Sequence, residues 1–157
     1  MKRWCVLVGF LLCVLGCEQK KEVRIDIPAP NPDKHDFMKE GVDYLQEAKI
    51  PEAIRSFDEA IKQNPVDPQP YMVLGQTYMR INDYTRAIDT FSAALRVSPD
   101  KGELHYLIAL NYRLLGEMDL ARKNAEISIE MFRQKQDEKN FLLALTLLQS
   151  LSQEQEE

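Results

Sequence analysis

The sequence predicts an all-α protein built from stacked helical hairpins, and three observations support this fold class. Small and aromatic residues recur with a constant period, as between Gly41 and Gly75. Around them, apolar residues follow the three- and four-residue spacing of amphipathic helices. Aspartate and proline stand where those helices would begin and end. With 157 residues, 45% of them hydrophobic, the chain is long enough for one core.

Residues 1–16 have the features of a secretory signal peptide rather than of a folded segment. Lys2 and Arg3 precede an apolar run over residues 4–15, which is shorter than the roughly 20 residues that a membrane-spanning helix needs. The run ends in Val14-Leu15-Gly16-Cys17, which resembles the lipobox of bacterial lipoproteins. This resemblance implies cleavage before Cys17 and attachment of lipid to its sulfur.

Cysteine content agrees with lipidation, because Cys5 and Cys13 would leave with the signal peptide and only Cys17 would remain. The alternative is a free or dimerising thiol on an ordinary secreted protein. Lipid attachment implies a protein held on an envelope membrane rather than spanning it. Glu18 follows the cysteine. In Gram-negative sorting, an aspartate at this position favours retention in the inner membrane. Because the residue here is glutamate, the sequence implies the outer membrane, facing the periplasm.

Residues 17–33 are expected to form a lipidated, extended linker. Pro28, Pro30 and Pro32 alternate and favour a polyproline-like backbone. The alternation of Val23, Ile25 and Ile27 leaves open a short strand or a docking segment. The net charge of −5 argues against nucleic-acid binding, which needs a basic surface.

The next segment contains a 34-residue repeat. Its first copy contains Gly41, Tyr44, Ala53, Phe57, Ala60 and Pro65. Its second copy contains Gly75, Tyr78, Ala87, Phe91, Ala94 and Pro99, and its third contains Ala109, Tyr112 and Ala121. The pattern resembles the tetratricopeptide repeat (TPR), with repeats at 34–67, 68–101 and 102–135. The resemblance implies a right-handed solenoid of three helix-turn-helix repeats with a C-terminal capping helix.

Packing explains each repeated residue type. Glycine and alanine are expected where the first (A) and second (B) helix of a repeat cross closely. The tyrosines fill the space between helices, and the phenylalanines plug the seam to the next hairpin. Pro65 and Pro99 end the B helices. The A helices are predicted near 34–47, 68–81 and 101–115, and the B helices near 51–63, 84–97 and 118–134.

Helix starts are predicted from capping residues. Asp33, Asp67 and Asp100 are candidate N-caps of the three A helices, and Asp100 and Glu103 have the spacing of a capping box. Pro51 and Pro68 occupy first-turn positions, where proline is favoured.

The third repeat departs from the pattern. Ala125 replaces the phenylalanine, Ser128 the alanine and Arg133 the proline, so its B helix is expected to run longer. Residues 136–157 are predicted to form a capping helix and a polar tail. The helix carries Phe141, Leu142, Ala144, Leu145 and Leu148 at helical spacing. A partner-binding or dimerising helix is the alternative.

No catalytic or cofactor chemistry is predicted. His105 takes the aromatic position of repeat three, His35 lies at the start of repeat one, and no metal-ligand spacing connects them. No Gly-rich phosphate loop or Gly-x-Ser-x-Gly turn is present in the sequence. We therefore expect no enzyme, no metal, no cofactor and no small-molecule substrate.

The family resemblance implies a concave groove lined by the A helices, which would bind a protein or peptide. The residues carried over are His35, Met38, Val42 and Leu45; Gln69, Met72, Gln76, Met79 and Arg80; and Glu103, Tyr106, Leu110 and Arg113. They are largely apolar with several methionines, a composition that suits an adaptable surface. TPR domains that clamp a terminal carboxylate need basic residues or asparagine where Met38, Val42 and Gln76 stand. That ligand class is therefore not expected.

These features predict a lipid-anchored scaffold or assembly factor. The chain resembles small TPR lipoproteins that help to assemble pilus secretins and outer-membrane machinery, a likeness at the level of the fold. A regulatory adaptor of cell-wall enzymes would use the same groove and is the main alternative. A self-associating structural protein and an enzyme are less favoured.

Overall fold

The computed structural model describes residues 35–153, and this region consists of seven α-helices without a strand. The helices are α1 (Phe37–Gln46), α2 (Ile50–Gln63), α3 (Pro68–Arg80), α4 (Tyr84–Val97), α5 (Gly102–Leu114), α6 (Met118–Gln134) and α7 (Glu138–Gln153). Each helix packs against the next one in the chain, and α7 also contacts α5. The all-α repeat prediction is confirmed. The signal peptide, the lipobox with Cys17, and the linker lie outside the described residues.

Three hairpins, α1/α2, α3/α4 and α5/α6, match the predicted A and B helices closely, and the largest difference is at the start of α1. None of the helices within residues 35–153 is long and apolar enough to cross a membrane. The C-terminal helix is present as predicted, but the residues that it buries are Ala144, Leu147 and Leu151. Of the apolar set predicted from the sequence, only Ala144 is fully buried, and Leu142 is exposed.

The capping residues agree with the sequence prediction at one of the three A helices. The Asp67 carboxylate accepts a hydrogen bond from the Gln69 backbone N–H at 2.9 Å and caps α3, as predicted. At α1 the N-cap is Asp36, which accepts from the Lys39 N–H at 3.0 Å, so the prediction of Asp33 is wrong. The helix starts at Phe37, later than expected.

The prediction that Asp100 caps α5 is also wrong. The N-cap is Lys101, which makes no side-chain capping bond. The Asp100 carboxylate instead lies 3.3 Å from Nζ of Lys135, at the end of α6, and the same ammonium donates to the Asp100 carbonyl. The Asp100 carboxylate therefore binds the Lys135 ammonium and not the N-terminus of α5.

The turns inside the three hairpins share one geometry. Ala48, Asn82 and Gly116 occupy the same position in successive repeats and have left-handed φ values of 59°, 60° and 80°. The N–H groups of Lys49, Asp83 and Glu117 bond back to the carbonyls of the three repeat tyrosines, each at 2.9 Å. This closure is the Schellman arrangement, which favours a left-handed residue after the helix.

The turn between α6 and α7 repeats this geometry, although it follows a complete hairpin. Gln136 has a φ of 56°, and the Asp137 N–H bonds to the Phe132 carbonyl at 2.9 Å. Because Arg133 replaces the proline, α6 reaches 17 residues where α2 and α4 have 14. The prediction of a longer helix is confirmed. The start of α7 therefore follows the start of α5 by 36 residues, a 36-residue register, whereas the start of α5 follows that of α3 by 34 residues.

The repeat glycines face a phenylalanine ring of their own hairpin. A Cβ at Gly41 would lie 2.5 Å from Cε1 of Phe57, and one at Gly75 would lie 2.4 Å from Cε1 of Phe91. Close backbone approach was the expected reason for a small residue here, and the seam to the next hairpin was the expected place for the ring. The structure shows that the ring of the same hairpin occupies the space that a side chain at either glycine would need, and that both rings belong to the core cluster that continues into the next hairpin.

Candidate protein-binding surface

Twelve of the thirteen residues predicted for the groove, all except His35, lie on the first helices of the hairpins, α1, α3 and α5. Nine of them occupy three equivalent positions on these helices. We call them the A-helix stripe: Met38, Val42 and Leu45 on α1; Met72, Gln76 and Met79 on α3; Tyr106, Leu110 and Arg113 on α5. Each helix contributes residues at i, i+4 and i+7, which lie on one helix face. All nine side chains are half-buried or exposed.

The apolar stripe residues are anchored at their base. Met38, Leu45, Met72 and Met79 pack against the core cluster that includes Phe57 and Phe91. Tyr106 and Leu110 pack against the second cluster, to which α7 contributes Leu147, Leu148 and Leu151. Anchored side chains lose little further entropy when a ligand covers them, which favours binding.

The charge of the stripe is low. Of its nine residues Arg113 alone is charged, and Arg80 directly follows Met79, the α3 residue that corresponds to Arg113. At the opposite ends of these helices stand Gln69 and the exposed Glu103. The stripe therefore suits apolar side chains of a partner, and its methionines can adjust to their shape.

His35 differs from its expected place in the groove. Its Nε2 lies 3.2 Å from Oε2 of Glu40, and its ring packs edge-on against Phe37 at 4.5 Å. The same Glu40 oxygen accepts a hydrogen bond of 2.9 Å from the Ser56 hydroxyl on α2, which together with His35 lowers the pKa of Glu40. His35 thus belongs to a polar network that connects α1 to α2.

His105 takes part in packing, as the sequence predicts. It is half-buried, and its Nδ1 lies 3.1 Å from Oδ1 of Asn124, so it links α5 to α6 within the third hairpin. Within residues 35–153 no group of three or more His, Cys, Asp or Glu side chains is arranged to hold a metal ion.

Sequence reasoning missed a fourth stripe on α7. In the 36-residue register, Leu142, Thr146 and Gln149 correspond to Tyr106, Leu110 and Arg113, and all three are exposed. A search at a fixed 34-residue interval cannot find them. The missing proline at Arg133 is the signal that the register changes.

The family model of the tetratricopeptide repeat matches this chain at residues 38–96 and again at 72–130. These overlapping matches cover residues 38–130, more than half of the chain. Comparison with curated protein sequences gives no match.

Solved structures with the same fold include three that contain a bound partner. PcrH in complex with the chaperone-binding region of PopD has a TM-score of 0.69 and 16% identity, over 76% of this chain and 90% of PcrH. SycD of Yersinia enterocolitica with a peptide of the translocator YopD has 0.69 and 16%, over 80% and 99%. The TPR2B domain of yeast Sti1 in its pHsp70 complex has 0.68 and 18%, over 75% and 94%.

Identities of this size establish the common fold and no more. The family match, the three hairpins and the repeated Gly, Tyr, Ala and Phe positions agree with one another. The chain therefore belongs to the tetratricopeptide repeat family, whose fold is a protein-interaction module.

Proposed function

We propose that this protein is a membrane-anchored scaffold or assembly factor that binds an extended segment of another protein along the A-helix stripe. The observation that supports the binding function is the stripe itself. Nine accessible, mostly apolar side chains occupy the same three positions on three consecutive A helices. A segment lying across α1, α3 and α5 would meet one set of anchors per hairpin.

The chemistry of the stripe indicates the kind of segment. Met38, Met72 and Met79 offer flexible, polarisable surfaces, and Tyr106 adds a rigid aromatic contact. With one charge in nine positions, most of the binding free energy would come from burial of apolar side chains. The solved complexes of PcrH with a region of PopD and of SycD with a peptide of YopD support this use of the fold.

The proposed site of action is an envelope membrane, with the lipid on Cys17 as the anchor and the linker as the tether. The support is the lipobox-like Val14-Leu15-Gly16-Cys17 after the apolar run over residues 4–15. We propose the outer membrane, facing the periplasm, because Glu18 follows the cysteine. The partner would belong to pilus, secretin or outer-membrane assembly machinery.

Photo-crosslinking in cells tests the groove. A photo-reactive residue at Met72 or at Tyr106 should capture the same partner, because the two positions line one stripe on adjacent hairpins. Asp89, exposed on α4, is the control position and should capture nothing in common with them. The proposal would be contradicted if neither Met72 nor Tyr106 gave a protein adduct, or if Asp89 captured the same protein as both of them.

Replacement of the cysteine tests the anchor. Cys17→Ala should abolish lipid attachment and prevent cleavage before residue 17, so that the variant accumulates as the unlipidated chain that still carries residues 1–16. Mass spectrometry of the parent N-terminus should show a lipid-modified Cys17. An unmodified N-terminus that begins at Met1 would rule out the anchor while leaving the groove proposal intact.

A further inference from the structure

The α7 helix takes the position of a further A helix beside α5. In its 36-residue register, the buried Ala144 and Leu147 correspond to Ile108 and Asn111 of α5, which are buried as well. Helix α7 packs against α6 and also contacts α5. The exposed side of α7 therefore continues the A-helix stripe by one more helix.

The exposed α7 positions in this register, Leu142, Thr146 and Gln149, form an uncharged surface. Leu142 is 53% exposed, and the Thr146 hydroxyl already donates to the Leu142 carbonyl at 2.9 Å. From Asn140 to Gln153 the helix carries no charged residue. An apolar side chain of a ligand can therefore cover this part of α7 without burying a charge.

Arg80 adds a positive charge at the edge of the stripe on α3. It follows Met72 by eight residues, which places it on the same helix face about 12 Å further along the axis. Arg80 is exposed and makes no hydrogen bond or ion pair within residues 35–153. Helix α3 contains no acidic residue, and Asp83 in the following turn is already bound to Arg86 at 2.6 Å. A carboxylate of a ligand would therefore meet an exposed guanidinium that has no such partner.

The charge of the stripe is opposite in sign to the charge of the whole chain. The sequence has a net charge of −5, yet the stripe and Arg80 together contain two arginines and no carboxylate. Arg113, near the end of α5, already interacts with another group. Arg80 is therefore the better placed of the two to bind a ligand, and a guanidinium pairs well with a carboxylate.

The four helices also indicate the length of the ligand. Packed helices lie about 8–10 Å apart, so three steps from α1 through α3 and α5 to α7 give a path of roughly 30 Å. An extended chain advances about 3.3 Å per residue, so about nine residues cover this path.

We propose that the ligand is an extended segment of about nine residues, apolar at both ends and with a carboxylate between them. One end packs on α1, where the stripe positions are Met38, Val42 and Leu45. The carboxylate pairs with Arg80 on α3, and the other end packs on Leu142 of α7. This ligand chemistry rests on the proposed binding function of the stripe and extends the site by one helix.

Peptide selection tests the ligand chemistry, with the full chain as bait and a display library of random nonapeptides as the probe. Peptides that bind the parent should be apolar near both ends and carry Asp or Glu between them. Arg80→Glu should invert this preference, so that Lys or Arg replaces the carboxylate. Arg96→Glu changes an exposed arginine on α4 and should select the same peptides as the parent.

The affinity for one selected peptide tests the two new contacts separately. Arg80→Gln should weaken binding of the acidic peptide about fivefold, and it should not weaken binding of the same peptide with an amide in place of the carboxylate. Leu142→Ala should weaken binding of the acidic peptide about tenfold. Leu120→Ala, which changes a leucine that is 41% exposed on α6, should leave the affinity unchanged.

The outcomes separate this ligand from the binding function on which it rests. Selected peptides without a preference for acidic residues, or an unchanged preference in Arg80→Glu, would overturn the ligand chemistry and leave the stripe as a binding site. Equal affinities for Leu142→Ala and Leu120→Ala would limit the site to three helices and overturn the extension to α7. Failure to select any peptide would contradict the binding function itself, and this ligand with it.

Discussion

At the residue scale, each hairpin pairs a residue on its first helix with a residue on its second helix, and the sizes of the two side chains are complementary. Hairpins one and two pair glycine with phenylalanine, at Gly75 and Phe91 in the second. Hairpin three pairs two alanines, Ala109 and Ala125, both fully buried. The Cβ of Ala109 takes up part of the space that a ring fills elsewhere. Because protein interiors are close-packed, each member of a pair depends on the size of the other.

This dependence predicts a change of sign in a double-mutant cycle. Gly75→Ala alone should destabilise the protein by about 1–3 kcal/mol, because the new Cβ meets the Phe91 ring. In the Phe91→Ala background the same change should stabilise it by up to about 1 kcal/mol, since alanine favours helix over glycine. Urea unfolding of the four chains measures both values, and an equal effect of Gly75→Ala in both backgrounds would contradict the pairing. The Gly41 and Phe57 pair repeats the test.

Asn111 is a buried polar residue whose role can be tested by comparison with hairpin two. Its Nδ2 donates to the Leu107 carbonyl at 2.7 Å, but its Oδ1 is buried and has no hydrogen-bond partner among the described residues. At the equivalent position, Thr77 makes the same backbone bond at 2.7 Å.

Asn111→Thr should therefore keep the backbone bond and remove the unsatisfied oxygen, with a gain in stability of about 1 kcal/mol. Differential scanning calorimetry of the two proteins should show a higher Tm for the variant. A lower Tm would indicate that a water or another group satisfies Oδ1 in solution.

At the element scale, the sequence determines most helices well and their junctions less well. The 34-residue recurrence located all three hairpins, because the small and aromatic residues that helix packing requires recur at the same positions in each hairpin. It failed at Asp33 and Asp100, since an aspartate before a helix does not show which partner will bind its carboxylate. The left-handed Ala48 and Gln136 were also missed, because neither residue type favours that backbone conformation. The stripe follows from the register, but its accessibility required coordinates.

The corrected caps give a prediction at this scale. Asp67→Ala removes a true N-cap bond and should destabilise the protein by about 1 kcal/mol. Asp100→Ala removes an exposed ion pair with Lys135 and should have a smaller effect, at most a few tenths of a kcal/mol. The urea midpoints of the two variants compare these losses directly. An equal or larger loss of stability for Asp100→Ala would indicate that Asp100 caps α5 after all.

At the scale of the whole molecule, hydrogen-bonded carboxylates connect stability to pH. Within residues 35–153, five acidic groups have lowered pKa values, with hydrogen bonds as the main cause: Glu40, Asp83, Asp100, Glu130 and Asp137. Their stabilising effect is present above the pKa of the unfolded chain and is lost as pH falls through the lower pKa of the folded state. Burial raises the pKa of Asp58 and opposes this trend.

The fold should therefore lose stability between about pH 5 and pH 3. Glu40→Gln should reduce this loss, because glutamine cannot titrate, and Ser56→Ala should reduce it too, since the Ser56 hydroxyl is the main cause of the lowered pKa. Urea midpoints measured at each pH test the prediction. Parallel curves for the parent and both variants would show that the Glu40 network contributes nothing to the acid response.

Leu145 also has a consequence for the evolution of this array. A hairpin of this kind needs a small residue on its first helix opposite the ring of its second helix, as Gly41 and Gly75 show. In the 36-residue register Leu145 takes that position on α7, so a ring-bearing second helix could pack there only after a change to glycine or alanine.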